Sequence, residues 1–167
     1  MDEGRLREVY AVAYPRLVGQ LAGVTGDPAE AEDVVMEAFA RAAPRRSSFH
    51  EADNAEAWLR TVAVNVARSR WRRMLRWAHL VPALAMTEAY ADLPEDRLTL
   101  LAALRRLPVA QREAIALHHL ADLPVAEVAL TLGVPEGTVK ARLSRGRAAL
   151  AELLSEPSKE DDHVRPA

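Results

Sequence analysis

LADLPVAEVALTLGVPEGTVKARLSRGR, residues 120–147, holds a short apolar segment, a glycine and then a basic segment. Residues 125–132 have the spacing of a short helix, with Ala129 small enough for two helix backbones to cross beside it. Gly133 stands where a tight turn needs a residue that tolerates positive φ. Val134 plugs the corner, Pro135 sits where a first helical position tolerates a missing N–H, and Val139 and Leu143, four apart, share the inward face. Lys140, Ala141, Ser144, Arg145 and Arg147 are left facing solvent or a major groove. This is the layout of a helix-turn-helix with a basic second helix, and it makes DNA the first partner to test.

A chain of 167 residues, half of them hydrophobic, has enough material for one domain or two small ones with folded cores. The absence of cysteine excludes disulfides and thiolate metal sites and fits a reducing compartment. No apolar run approaches the roughly 18 residues of a membrane span. The opening MDEGRLREVY is charged where a secretory signal would be apolar. A soluble, cytoplasmic protein without membrane insertion is expected.

The net charge of −2 conceals strong segregation. Residues 17–40 contain no Lys or Arg but include Asp27, Glu30, Glu32, Asp33 and Glu37. Residues 57–87 contain no Asp or Glu but include Arg60, Arg68, Arg70, Arg72, Arg73 and Arg76. Residues 137–151 are again free of acid and carry Lys140, Arg142, Arg145 and Arg147. The reading is two basic surfaces, one acidic helix and an acidic tail at 156–167.

Apolar residues recur at helical spacing throughout, and no alternating Val/Ile-rich run argues for a strand. The spacing predicts an all-α protein whose first helix covers about 4–24, with Gly26 ending it. Asp27-Pro28-Ala29-Glu30 predicts the start of a second helix, with Asp27 as cap and Glu30 closing a capping box. Its apolar stripe is Ala31, Val34, Val35, Ala38, Phe39 and Ala42. A loop follows at 44–54, then a long helix with Trp58, Leu59, Val62, Ala63, Val66 and Ala67 inward. A linker around 80–98 separates this half, 1–79, from helices in 99–155 that end in the helix-turn-helix.

GDPAEAEDVVMEAFARA at 26–42, a loop opening with Phe49, AWLRTVAVNVARSRWRR at 57–73 and LPVAQREAIALHHLADLPVAEVALTLGVPEGTVKARLSRGRAAL at 107–150 follow one another in this order. Together they resemble the bacterial RNA polymerase sigma factors of the small extracytoplasmic-function group, over most of the chain. The resemblance implies two small helical domains joined by a flexible linker: sigma region 2 at 1–79 and a region 4 helix-turn-helix at 99–155. It implies no catalytic site and no cofactor; such proteins bind core polymerase, bring it to a promoter and help open the duplex.

By the same resemblance, Lys140, Ala141, Ser144 and Arg145, with His118 from a preceding helix, match contacts to the minus-35 element. Phe49, Thr61, Asn65 and Ser69 match the pocket for a flipped minus-10 base, with Arg60 and Arg68 nearby for phosphate. Asp33, Val34, Glu37 and Phe39 match the surface that packs on the beta-prime clamp helices of core polymerase, whose beta subunit is a further expected contact. Met36 stands where a glutamine is common in the family. An anti-sigma factor wedged between the two domains is an expected partner. Two other readings compete: a stand-alone helix-turn-helix regulator, which needs a dimer and a palindromic site, and a sigma-like mimic that titrates an anti-sigma factor. Trp71 and Trp77 among Arg70, Arg72, Arg73 and Arg76 suit capture of a strand, or packing between domains. His118-His119 has no acid or thiol at ligand spacing, so no metal is expected.

Overall fold

The computed structural model describes residues 2–45, 54–78 and 93–155, and every regular element among them is helical. The helices are α1 (Asp2–Thr25), α2 (Pro28–Ala42, followed by a 3₁₀ turn at Ala43–Arg45) and α3 (Ala55–Trp77), then α4 (Glu95–Arg106) and α5 (Val109–Ile115, continued by a π-helical turn at Ala116–Leu120). α6 (Val125–Leu132) and α7 (Glu136–Ser155) complete the elements among the described residues. The Phe49 loop, most of the expected linker and the acidic tail lie outside the described residues. Residues 95–98, expected at the end of that linker, form the first turn of α4 instead, where Glu95 and Asp96 favour the positive end of the helix dipole.

The joint between α1 and α2 follows the sequence with one correction. Gly26 adopts φ 73°, and Asp27 Oδ1 accepts from the Ala29 N–H at 2.9 Å, capping α2. Glu30 does not close a capping box. The Asp27 N–H is donated to Thr25 Oγ1 at 3.2 Å, which leaves the Glu30 carboxylate free to receive the Arg70 guanidinium.

α1, α2 and α3 form the first unit, with Leu17, Leu21, Val34, Val35, Leu59 and Val66 fully buried between them. α4 to α7 form the second, around Leu104, Leu117, Val128, Val139 and Leu143. These two sets join one continuous hydrophobic core. The join is made by α1 against α4, α5 and the π turn, and by α3 against α6. Gly23 permits it: a Cβ there would stand 2.4 Å from Leu120 Cδ1 and 3.1 Å from the Ala116 methyl.

α3 therefore has two buried faces where one was expected. Leu59, Ala63, Val66 and Arg70 face α1 and α2. Arg60, Val64, Ala67, Arg68 and Trp71, displaced by about a quarter turn or more, face the second unit. Val64, absent from the expected inward set, is fully buried for this reason.

In the helix-turn-helix, Gly133 adopts φ 67° and its N–H closes onto the Ala129 carbonyl. Nothing lies within 4 Å of a Cβ built there, so only the backbone requires glycine. Gly133→Ala is expected to lower stability by about 1 kcal/mol, the cost of a left-handed alanine. A urea unfolding series should show the midpoint falling at constant slope; an unchanged midpoint would mean the turn relaxes at no cost.

Candidate nucleic-acid interface

α7 carries the basic face. Val139 and Leu143 are buried, and Gly146 lets α7 lie against α5, since a Cβ there would meet Ile115 Cγ1 at 2.9 Å. With that face inward, Lys140, Ala141, Ser144 and Arg145 are all exposed on the opposite side. Lys140 and Arg145 form no ion pair or hydrogen bond among the described residues. Arg147, also exposed, donates from Nε to His119 Nε2 at 3.0 Å. That bond needs a neutral His119, and burial, then Arg147 and His118, lower its pKa from the ordinary value. His118 is half-buried and donates from Nδ1 to the Leu123 carbonyl at 2.7 Å, which fixes its ring and leaves Nε2 as the remaining polar atom.

α3 carries the second set, and the structure divides it. Thr61, Asn65 and Ser69 fall four apart on one stripe away from both buried faces. Asn65 is exposed, and Thr61 Oγ1 donates to the Ala57 carbonyl at 3.2 Å. Phe49, their expected companion, lies outside the described residues. Of the two expected phosphate contacts, Arg68 borders this stripe, two turns from Thr61, whereas Arg60 lies about a quarter turn beyond it. Arg60 is 8% exposed and donates from Nε to Gln20 Oε1 at 2.9 Å. Burial lowers its pKa, against which the nearby Glu56 and Glu127 act. Arg68 donates to both carboxylate oxygens of Glu113, from Nε at 3.1 Å and from the terminal nitrogen NH2 at 2.9 Å, and from NH1 to the Leu132 carbonyl at 3.2 Å. Neither of these two cations is free: Arg60 is held within the first unit by Gln20 and Glu56, and Arg68 is held across to the second unit by Glu113 and Leu132.

Arg70 was legible only as one more positive charge. It is a clip between helices: Glu30 receives it bidentately, and Asp33 and Glu37 lie within 3.6 Å of it. One guanidinium thus faces three carboxylates along α2. The acidic window and the basic window of the sequence are in part each other's counterions. Arg72, Arg73 and Arg76 remain exposed at the end of α3. Beside them Trp71 is half-buried, with the Arg112 guanidinium 5.7 Å from its ring centre, whereas Trp77 is 60% exposed. The two tryptophans flank a groove of about 720 Å³ between the units, lined also by Met74, Val109 and Arg105. Of the two readings of this pair, Trp71 packs between units and Trp77 faces solvent.

On α2, Asp33 is exposed and Glu37 is half-exposed, bonded to Arg41 at 2.6 Å. Val34 and Phe39 are core residues. Val34 has no exposed surface, and Phe39 packs edge-on against Tyr10 with ring centres 5.0 Å apart. Their helical positions turn them toward α1, so the exposed face passes instead through Met36, which is half-exposed. No group of His, Asp and Glu suited to a metal occurs among the described residues, and no helix there is long and apolar enough to cross a membrane.

Comparison with known proteins gives the two halves separate matches. Residues 6–78 match the family described as "Sigma-70 region 2", and residues 97–150 match "Sigma-70, region 4". The ECF RNA polymerase sigma factor EcfG of Rhodopseudomonas palustris is 31% identical over 164 residues, covering 93% of this chain and 88% of that one. The ECF RNA polymerase sigma factor SigM of Mycobacterium tuberculosis is 36% identical over 145 residues, covering 84% and 73%. Among solved structures, the sigma factor RpoE of Bartonella quintana, in complex with the anti-sigma factor NepR, superimposes with a TM-score of 0.75 at 27% identity, covering 91% of this chain and 98% of that one.

Proposed function

Because this chain belongs to the ECF RNA polymerase sigma factors of the sigma-70 family, we propose that it joins core RNA polymerase and directs it to promoters by reading two DNA elements. α7 reads the upstream, minus-35 element in a major groove through Lys140, Ala141, Ser144 and Arg145, with His118 alongside. The stripe of Thr61, Asn65 and Ser69, with Phe49, takes the downstream, minus-10 strand. The observation that carries this reading is that one chain presents an uncommitted basic helix face and, on a separate helix, a polar stripe with Asn65 exposed at its centre and the exposed cations Arg72, Arg73 and Arg76 beyond it. Phosphate contacts to Arg72, Arg73 and Arg76 supply sequence-independent affinity, and base contacts supply choice. The chain's part is positioning and strand capture; bond formation belongs to the polymerase.

Attachment to core runs through the exposed face of α2, with Asp33, Met36 and Glu37 at its centre, against the beta-prime clamp helices. The two units are taken as residues 1–79 and, with the first turn of α4 included, 95–155, joined by the segment between them. The presence of an anti-sigma factor in the RpoE structure supports a similar partner here.

A run-off assay with purified chain, core enzyme and a library of promoter fragments tests the function. A start-site-specific transcript that depends on this chain is expected; none, with folded chain present, overturns the reading. Within it, Met36→Arg is expected to weaken core association by about tenfold, the scale of one interface contact worth about 1.4 kcal/mol. Met36 is exposed enough for helix content to stay constant. Unchanged affinity in a competition assay for core would remove α2 from the interface.

A further inference from the structure

We infer that Glu113 is a built-in competitor for promoter phosphate: it occupies the Arg68 guanidinium and so holds the downstream reader closed until the two units separate. The inference rests on the promoter-reading function proposed above and adds to it a contact within the chain that regulates it.

Three observations carry it. Arg68 is committed to the second unit by every one of its nitrogens, two to the Glu113 carboxylate and one to the Leu132 carbonyl. A carboxylate met side-on by a guanidinium presents two oxygens in the geometry in which a phosphate presents its own. Glu113 therefore fills the site that a strand phosphate would fill, and the two exclude one another.

Glu113 itself is 4% exposed, so its carboxylate is held dry in the interface. A buried, bidentate ion pair is screened little by salt, unlike a surface pair. It closes with the rest of the interface and is lost with it, because separation returns the carboxylate to water and leaves Arg68 on an open helix face. The remaining contacts close the same joint: Arg112 donates from Nε to the Val24 carbonyl at 2.8 Å, and Leu120 rests where Gly23 leaves room.

Closure affects the two readers unequally. Lys140, Ala141, Ser144 and Arg145 stay exposed in the closed chain, whereas Arg68, one residue from Ser69, is partly exposed but has each of its nitrogens already bonded to the second unit. The closed chain can meet duplex through α7 yet cannot grip the opened strand fully. Opening of the units, as when each docks separately on core, releases Arg68.

The test uses the full chain. The absence of cysteine allows labels to be placed at will, so Arg7→Cys on α1 and Ala148→Cys on α7, both exposed, report the distance between units. Glu113→Gln keeps the shape and removes the charge. Two results are expected: a longer-distance population grows in Glu113→Gln, and its affinity for a fluorescent single-stranded deoxynucleotide of mixed sequence rises about tenfold without polymerase. A second variant, Glu113→Gln with Arg68→Gln, should lose that gain, because the gain runs through Arg68. An ion pair that merely cements the fold would instead lower helix content or leave strand binding unmoved. Unchanged distances, unchanged strand affinity in Glu113→Gln, or a gain that survives loss of Arg68 would each overturn the inference. None of these measurements uses core enzyme, so their failure leaves the run-off result standing, and a missing run-off transcript leaves them standing in turn.

Discussion

Lys140→Ala combined with Arg145→Ala is expected to remove dependence on the upstream element altogether. Each long cation, placed bidentately on a guanine or on phosphate, contributes about 1–3 kcal/mol of discrimination or grip. Losing both costs about 2–6 kcal/mol, on the order of 10²-fold or more in promoter occupancy at limiting protein. The fold should not change. Both side chains are exposed and carry no intramolecular partner among the described residues, and surface changes of that kind stay within about 0.5 kcal/mol in stability. Transcript yields from a matched pair of promoters, one intact and one with its upstream element scrambled, decide the matter. The double variant should give equal yields from the two. A preserved ratio would mean that α7 is not the upstream reader, while a loss of core binding would mean that the face was misassigned.

The helix-turn-helix was legible in the sequence because its determinants are local. Gly133, Pro135 and the pair Val139 and Leu143 lie within eleven residues, and each is read from turn chemistry or helical spacing alone. Asp27 as a cap was legible for the same reason. Glu30 was misread as the partner of that cap because a capping box is a rule about four consecutive residues. The structure instead offers Glu30 an arginine 40 positions away. A charge-assisted bidentate bond across helices outweighs a single backbone N–H that Thr25 can satisfy.

The same limit explains the basic helix. Segregated charge was read as separate surfaces, since a sequence shows sign and spacing but not which windows will face each other. Arg60, Arg68 and Arg70 are consumed internally by Gln20, Glu113 and Glu30, whereas Arg72, Arg73 and Arg76 stay at the surface. One signal was available: Arg60, Val64 and Arg68 fall four apart, and an apolar residue centred between two arginines marks a face to be covered. Val34 and Phe39 were named for core binding by position in a family pattern, while their place in the apolar stripe of α2 already pointed inward.

Val64→Lys tests whether the two units truly own separate cores. Val64 has no exposed surface, and it lies between Arg60 and Arg68 on the face of α3 that meets α6. A lysine there would place a third cation in a dry interface, next to two guanidiniums whose acceptors are already engaged. An uncompensated buried charge costs about 3–5 kcal/mol, more than a mixed polar and apolar joint of this kind can absorb. The cheapest relief is to part α3 from α6, because Leu59, Ala63 and Val66 hold α3 to α1 and α2 independently, and Val139 and Leu143 hold α7 to its own neighbours. The expected result is a chain with unchanged helix content whose radius of gyration, about 15 Å for a compact body of this length, rises by X-ray scattering. Asn65→Lys, one residue along on the exposed stripe, should leave the radius where it was. Loss of helix content across the chain in Val64→Lys would show that the shared core is a single cooperative unit and would sink the idea of a joint that opens.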